Sequence, residues 1–329
     1  MQHLCFNRIV TMAFYQPNKK IRELDNTGFS ANNQNFDTRF LNKDGTSNVI
    51  KTGINPLERF SIYHYMLNLA TWRFFFFIFL FYSSINFLFA IIYIMVGVNH
   101  LHGLVQGSAF QNFEEAYFFS AQTLTTVGYG RISPIGLLAN TISSLEALTG
   151  IMTLAIITGL LYGRFVNPKA FIAYSKNALI APFKDGKALM FRLAPTKNSN
   201  LSELNATVTI TMQVEEDGIY KNQFFPLPLQ LDKIMSLALS WTIVHPINEE
   251  SPLYNLTIDE IIEAKVQVIV FFKAFDEGFS SIVVSRTSYT WHEIIDNAKF
   301  NPMFRSSSNG DAILLELDKI NDFSKLQER

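Results

Sequence analysis

The segment TLTTVGYG, residues 123–130, places glycines at alternate positions just after a run of threonines. Gly128 and Gly130 admit backbone angles that turn successive carbonyls toward one side of the chain. Thr126 adds a hydroxyl to the same row. Neutral oxygens in this arrangement can replace the water around a desolvated cation such as potassium. The expected ligands for K+ are Thr126, Val127, Gly128 and Tyr129, with Gly130 closing the loop. The side chains of Val127 and Tyr129 would face away and pack the loop against surrounding helices. The ion is cargo, and no cofactor is expected.

Such a loop needs a frame, and the flanking sequence provides one. Phe74–Val98 is 25 residues without a charge, and 135–163 holds a single charge, Glu146. At about 1.5 Å per residue, either is long enough to cross a bilayer core. Irregular backbone at that depth survives only inside protein or beside water. Residues 113–125 form a helix too short to cross, and its negative C-terminal end would point at the loop, which favours cations. One chain contributes one loop and two spans, so encircling an ion implies four copies about an axis. Before the first span, 56–73 reads as an amphipathic interfacial helix, with Ile62, Tyr65, Met66, Leu69 and Trp72 on one face and Pro56 in its first turn. No Lys or Arg occurs between Arg73 and Arg131, whereas Lys51, Arg59 and Arg73 precede the first span and Arg164, Lys169 and Lys176 follow the second. Both termini are therefore expected in the cytoplasm of a multi-pass plasma-membrane protein, the inner membrane in a Gram-negative bacterium.

Beyond residue 170 the pattern becomes short β-rich runs parted by Gly, Asn and Asp clusters, which predicts an all-β sandwich. The domains read as 1–55, a polar mobile tail; 56–168, interfacial helix and two-span pore; 169–320, the cytoplasmic β-sandwich; and 321–329, a C-terminal tail. A net charge of −1 gives no basic field for nucleic acid. The single cysteine, Cys5, excludes an intramolecular disulfide framework. No GxGxxG occurs in the β region, which argues against a Rossmann regulatory domain.

Several runs together resemble the inward rectifier potassium channel family, most closely its prokaryotic members, over about residues 55–320. SIYHYMLNLATWRFF resembles the interfacial slide helix, SAQTLTTVGYG the pore helix and filter, and RFVNPKAFIAYSKNALIAPFKDGKALMFRLA the join to the cytoplasmic domain. SWTIVHPINEESPLYNLT and VSRTSYTWHEI resemble signature runs of its immunoglobulin-like sandwich. The resemblance implies a homotetrameric potassium channel gated at the inner-helix bundle crossing by the cytoplasmic domain and anionic phospholipid.

Along the second span, Leu154, Thr158 and Tyr162 share one face. That face reads either as core packing or as a cavity stripe in which Tyr162 narrows the inner mouth. Gly150 and Gly159 would ease bending or close helix approach. By resemblance, Leu154 stands where strong rectifiers carry an acid that holds Mg2+ or polyamines, so weak rectification is implied. Asp217 and Glu277 match acids of the family's cytoplasmic pore, or are solvated turn charges. Gln122 departs from the glutamate common at its position, and a hydrogen bond is expected in place of an ion pair. A carboxylate at Glu146 is costly at membrane depth and needs a partner, which the sequence does not name. Arg59, Arg73, Arg164, Lys169 and Lys176 are candidates for anionic-lipid contact, or serve positive-inside topology alone. The competing functions are a nonselective cation channel and a membrane-tethered ligand-binding module. An enzyme built from His245, His292 and Glu293 has no supporting nucleophile motif or metal spacing.

Overall fold

The computed structural model describes residues 38–53, 55, 61–166, 170–198, 200–216 and 219–326, so Pro56, Arg59, Lys169 and Asp217 lie outside the described residues. The chain divides into two compact units, Thr52–Asn167 and Pro168–Arg329 with Met1–Lys51.

In the first unit, α1 (Ile62–Asn68) starts where the Ser61 hydroxyl accepts from the His64 N–H. It stops sooner than the apolar spacing predicts, because Leu69 and Ala70 are extended and α2 (Thr71–Val96) begins directly after them. Leu69 and Trp72 therefore do not continue the face of Ile62, Tyr65 and Met66. After α2, strand β1 (Leu101–His102) pairs with β2 (Ser133–Pro134) and closes the link between the spans. Within that link lies α3 (Ala109–Leu124), fixed at its start by a capping box between Ser108 and Gln111. It begins four residues before the expected 113, yet its 16 residues cover only about 24 Å, short of a bilayer core. The last helix is α4 (Gly136–Val166). Both α2 and α4 are long and apolar enough to cross a membrane.

The second unit is a β-sandwich. One sheet orders β11 (Ser281–Thr290), β10 (Gln267–Asp276), β6 (Leu201–Glu216) and β7 (Ile219–Pro226), with β8 (Lys233–Ser236) also on β6. The other orders β12 (Ile294–Asp296), β4 (Ala178–Phe183), β5 (Gly186–Pro195) and β3 (Ile172–Tyr174), with β9 (Trp241–Ile247) also on β5. The period-two pattern puts Leu204, Ala206, Val208, Ile210 and Met212 of β6 and Val268, Val270, Phe272 and Ala274 of β10 into one core. Leu189, Phe191, Leu193 and Ile243 enter it from the facing sheet. The short helix α5 (Ile258–Glu263) lies between β9 and β10.

Neither end of the chain is wholly the free tail expected from composition. Residues 39–48 turn back on themselves through a Leu41–Ser47 bridge and dock on the sandwich. Phe40 and Leu41 are buried, Phe40 N–H donates to Gln267 Oε1 at 3.1 Å, and Thr287 Oγ1 donates to the Lys43 carbonyl at 3.0 Å. Glu293 pairs with both Arg39 and Lys43. Burial lowers the Lys43 ammonium to about 8 against the opposing pull of Glu293. A docked segment of Asn, Gly and Thr reads as a loop in sequence because its partners lie some 240 positions away in the chain, as the Thr287–Lys43 bond shows with a separation of 244.

At the C-terminal end, β13 (Ala298–Phe300) pairs with β16 (Phe323–Lys325), and between them β14 (Phe304–Ser306) pairs with β15 (Ile313–Leu315). Arg192 ties this region to β5. Its guanidinium donates to the carbonyls of Asn301 at 2.7 Å and of Lys319, Ile320 and Asp322 at 2.9 Å, and lies 4.4 Å from the Phe300 ring centroid. Replacing Arg192 with leucine strands the carbonyls of Asn301 and Ile320, each costing about 1–3 kcal/mol where water cannot reach it, whereas those of Lys319 and Asp322 keep the N–H groups of Asp322 and Asn301. The expected result is a loss of about 3 kcal/mol in denaturant unfolding of the β-domain, with protease cleavage appearing first between residues 300 and 326.

Candidate ion pathway and its bracing

The TVGYG loop leaves the end of α3 without a break in the chain's hydrogen bonding. Thr125 N–H returns to the Ala121 carbonyl, Thr126 N–H to Thr123, and Gly128 N–H to Gln122 at 3.2 Å. Thr126, Gly128 and Gly130 have φ of 60°, 51° and 80°, whereas the intervening Val127 and Tyr129 do not have positive φ. Alternating handedness turns consecutive carbonyls to one side, the arrangement cation coordination needs. Glycine takes such angles freely, but a β-branched Thr126 there is strained by about 1–3 kcal/mol, and such strain persists only where the surroundings over-determine it. The sequence had marked the glycines for this role and missed the threonine. Val127 and Tyr129 are exposed within one subunit, so the packing expected of them is not made against their own helices. The Gln122 side chain likewise has no hydrogen-bond partner among the described residues of one subunit, although its main-chain carbonyl receives Gly128.

Two contacts seat α3. In its first half, Glu115 pairs with Arg131, the residue after the loop. At its inner end, α4 passes so close that a Cβ on Gly150 would lie 1.9 Å from the Leu124 carbonyl. Of the two reasons offered for Gly150, close approach is the operative one. Gly159 has no atom within 4 Å of its missing Cβ among the described residues of one subunit.

Leu154, Thr158 and Tyr162 are all exposed within one subunit, which removes the core-packing reading for that subunit. The Thr158 hydroxyl donates to the Leu154 carbonyl of its own helix at 2.8 Å. Two residues past Tyr162, Arg164 is engaged inside the chain. It donates to the carbonyls of Met66 and Leu69, both at 2.8 Å, and of Leu67 at 3.3 Å, and stacks 4.6 Å from the Phe74 ring centroid. A cation on the last carbonyls of α1 satisfies groups the helix leaves open and complements its negative end. Gly163 permits this approach, since a Cβ there would meet the Tyr63 hydroxyl at 3.0 Å. Arg73 is exposed in the first turn of α2, beside the Trp72 ring.

Comparison with known proteins identifies the family. Residues 69–167 match the ion channel family profile, and 172–328 match the inward rectifier potassium channel C-terminal domain. The chain is 31% identical over 289 residues to the inward rectifier potassium channel Kirbac3.1 of Paramagnetospirillum magnetotacticum, covering 87% of this chain and 96% of that protein. This chain belongs to the inward rectifier potassium channel family. It is also 26% identical over 293 residues to the G protein-activated inward rectifier potassium channel 2 of Pongo abelii, with 80% of this chain and 67% of that one covered. Among solved structures, the sporulation control protein Spo0M of Bacillus subtilis is similar at 9% identity over 40% of this chain and 57% of its own, and its TM-score of 0.17 carries no argument.

The remaining candidate residues of this inward rectifier sit in the β-domain. Glu277 is exposed after β10, where its N–H donates to the Asn200 carbonyl. Lys176 is exposed, with its N–H on the Asn321 side chain and its carbonyl on the Lys43 ammonium. Of the three residues weighed for an enzyme, Glu293 and His245 hold structure, and the relatives are ion channels. Glu293 caps Thr290 and pairs with Arg39, His292 is exposed, and His245 is buried. Its Nδ1–H donates to the Pro228 carbonyl at 2.6 Å and its Nε2 accepts from the Ser251 hydroxyl at 2.7 Å.

Two outcomes follow from these contacts. Gly150→Ala must push the end of α3 away from α4, lowering the thermal stability of the assembled protein by about 1–3 kcal/mol, whereas Gly159→Ala stays within about 0.5 kcal/mol. Burial lowers the pKa of His245, so the unfolded chain takes up a proton that the folded chain refuses. Stability of the β-domain is therefore lost as pH falls below the free imidazole value of about 6.5, at up to about 1.4 kcal/mol per pH unit, until the folded-state value is reached. His245→Gln flattens that slope in pH-dependent denaturant titrations.

Proposed function

We propose that four copies of this chain surround one potassium-selective pore, with Thr126–Gly130 of each copy contributing carbonyls and a hydroxyl to the filter. The observation that carries the reading is the alternation of positive φ at Thr126, Gly128 and Gly130, directly after a half-length helix held between two spans. Family membership supports it. The exposed Val127 and Tyr129 side chains are then free to meet neighbouring copies.

In this reading Leu154, Thr158 and Tyr162 line the inner cavity, and Tyr162 forms the constriction. Apolar Leu154 makes block by Mg2+ or polyamines weak at that site. Asp217 and Glu277 draw cations to the cytoplasmic mouth. Both termini are cytoplasmic. Arg164 joins the interfacial helix α1 to the stretch of α4 that carries Tyr162, and an anionic lipid headgroup acts by competing for that guanidinium with the carbonyls of Met66, Leu67 and Leu69. Such a lipid shifts the gate only to the extent that it binds open and closed states differently.

The test is ion uptake into liposomes holding the purified protein. Rubidium or potassium uptake that exceeds sodium uptake, is blocked by barium and is absent in Gly128→Asp is the expected result. Equal uptake of sodium would show a nonselective channel. The absence of uptake in both zwitterionic and anionic lipid, with no potassium-dependent tetramer, would leave a tethered binding module. Internal spermine is expected to block the wild type shallowly and a Leu154→Asp variant steeply.

A further inference from the structure

The one carboxylate within the spans has partners on both α2 and α3. Glu146 lies in the first half of α4 with no exposed surface. Tyr93 Oη of α2 donates to Glu146 Oε2 at 2.6 Å, and Ser120 Oγ of α3 bonds Oε1. Ser120 Oγ also lies 3.1 Å from Asn86 Oδ1 of α2, and Asn86 Nδ2 is held by the Tyr82 carbonyl at 2.9 Å. Among the described residues, no Lys or Arg pairs with Glu146, and Arg131 is taken by Glu115. The surroundings are otherwise apolar and tight. Tyr93 meets Phe119 edge-on at 5.1 Å between centroids, and Ala90 and Ala116 are fully buried.

We infer that Glu146 is a positioning residue for ion selection, fixing α3 and so the filter loop against both spanning helices of its own subunit. This rests on the filter reading of Thr126–Gly130. The register supports it. Ser120 meets Glu146 and, one turn further along both helices, Leu124 meets Gly150. One contact attracts and the next allows the backbones to touch, and Thr126 follows two residues later. Apolar side chains would fill this space without the cost of a carboxylate at membrane depth. What they lack is direction. Hydrogen bonds to two defined oxygens fix the rotation and depth of α3, as fully satisfied buried networks do. The carbonyls of Thr126–Gly130 inherit that placement through the unbroken end of α3.

The experiment uses full-length protein in liposomes, reading rubidium against sodium uptake alongside tetramer content by gel filtration. Glu146→Leu is expected to stay tetrameric and conductive but to lose rubidium preference about tenfold, the discrimination that roughly one lost hydrogen bond accounts for. Glu146→Gln can accept one bond and donate the other, and recovers most of the preference. The double variant Tyr93→Phe, Ser120→Ala removes only two oxygens and is expected to fall in the same direction as Glu146→Leu, so it decides the matter if the leucine variant does not assemble. Tetramers of either variant with wild-type preference would overturn the inference while leaving the filter reading intact. A wild type without preference would overturn the filter reading and this inference with it.

Discussion

The pore unit depends on one close approach: the end of α3 resting on α4 at Gly150, where no side chain intervenes. A helix that stops half-way through a bilayer exposes its last carbonyls to a medium that cannot hydrogen-bond them, unless protein or a water-lined space receives them. In this chain the carbonyls of Ala121, Gln122 and Thr123 in the last turn of α3 are occupied by the N–H groups of Thr125, Gly128 and Thr126, and the Leu124 carbonyl rests against Gly150. The helix itself is located by α4. Every property of the loop after Leu124, including the strained φ of Thr126, presumes that this seat does not move.

The same logic of backbone carbonyls held by a distant cation appears at two other places. Arg164 gathers the carbonyls at the end of α1, which fixes where the interfacial helix stops and the first span starts. Arg192 gathers those of 301 and 319–322 and converts an apparent C-terminal tail into part of the sandwich. Guanidinium suits the task because its donors are fixed in one plane and its charge is less tightly hydrated than an ammonium. At Arg164 the guanidinium already holds three carbonyls, and the lipid contact proposed above sets a phosphate in competition with them.

The polar groups within the pore unit serve orientation. Glu115 with Arg131 and Glu146 with Tyr93 and Ser120 hold α3 from its two sides, each at a different depth along the helix. Apolar packing around Ala90, Ala116 and Phe119 supplies attraction without specifying rotation. The combination accounts for why a carboxylate is present where composition alone would favour leucine.

The amino-acid sequence by itself determined the two spans, the short helix between them, the loop of TVGYG and the change to period two beyond residue 170. These are local signals, written in runs of apolar residues, glycine spacing and alternation, and they need no partner to be read. Tertiary structure alone decided what each isolated polar residue bonds. Glu146 and Tyr93 are 53 positions apart, and Arg164 and Met66 are 98 apart. No periodicity links them. The docking of residues 39–48 and of β16, the stop of α1 at Asn68 and which of its two roles Gly150 serves were illegible for the same reason. Each is set by an atom from a remote part of the chain, and remote contacts leave no mark in local pattern.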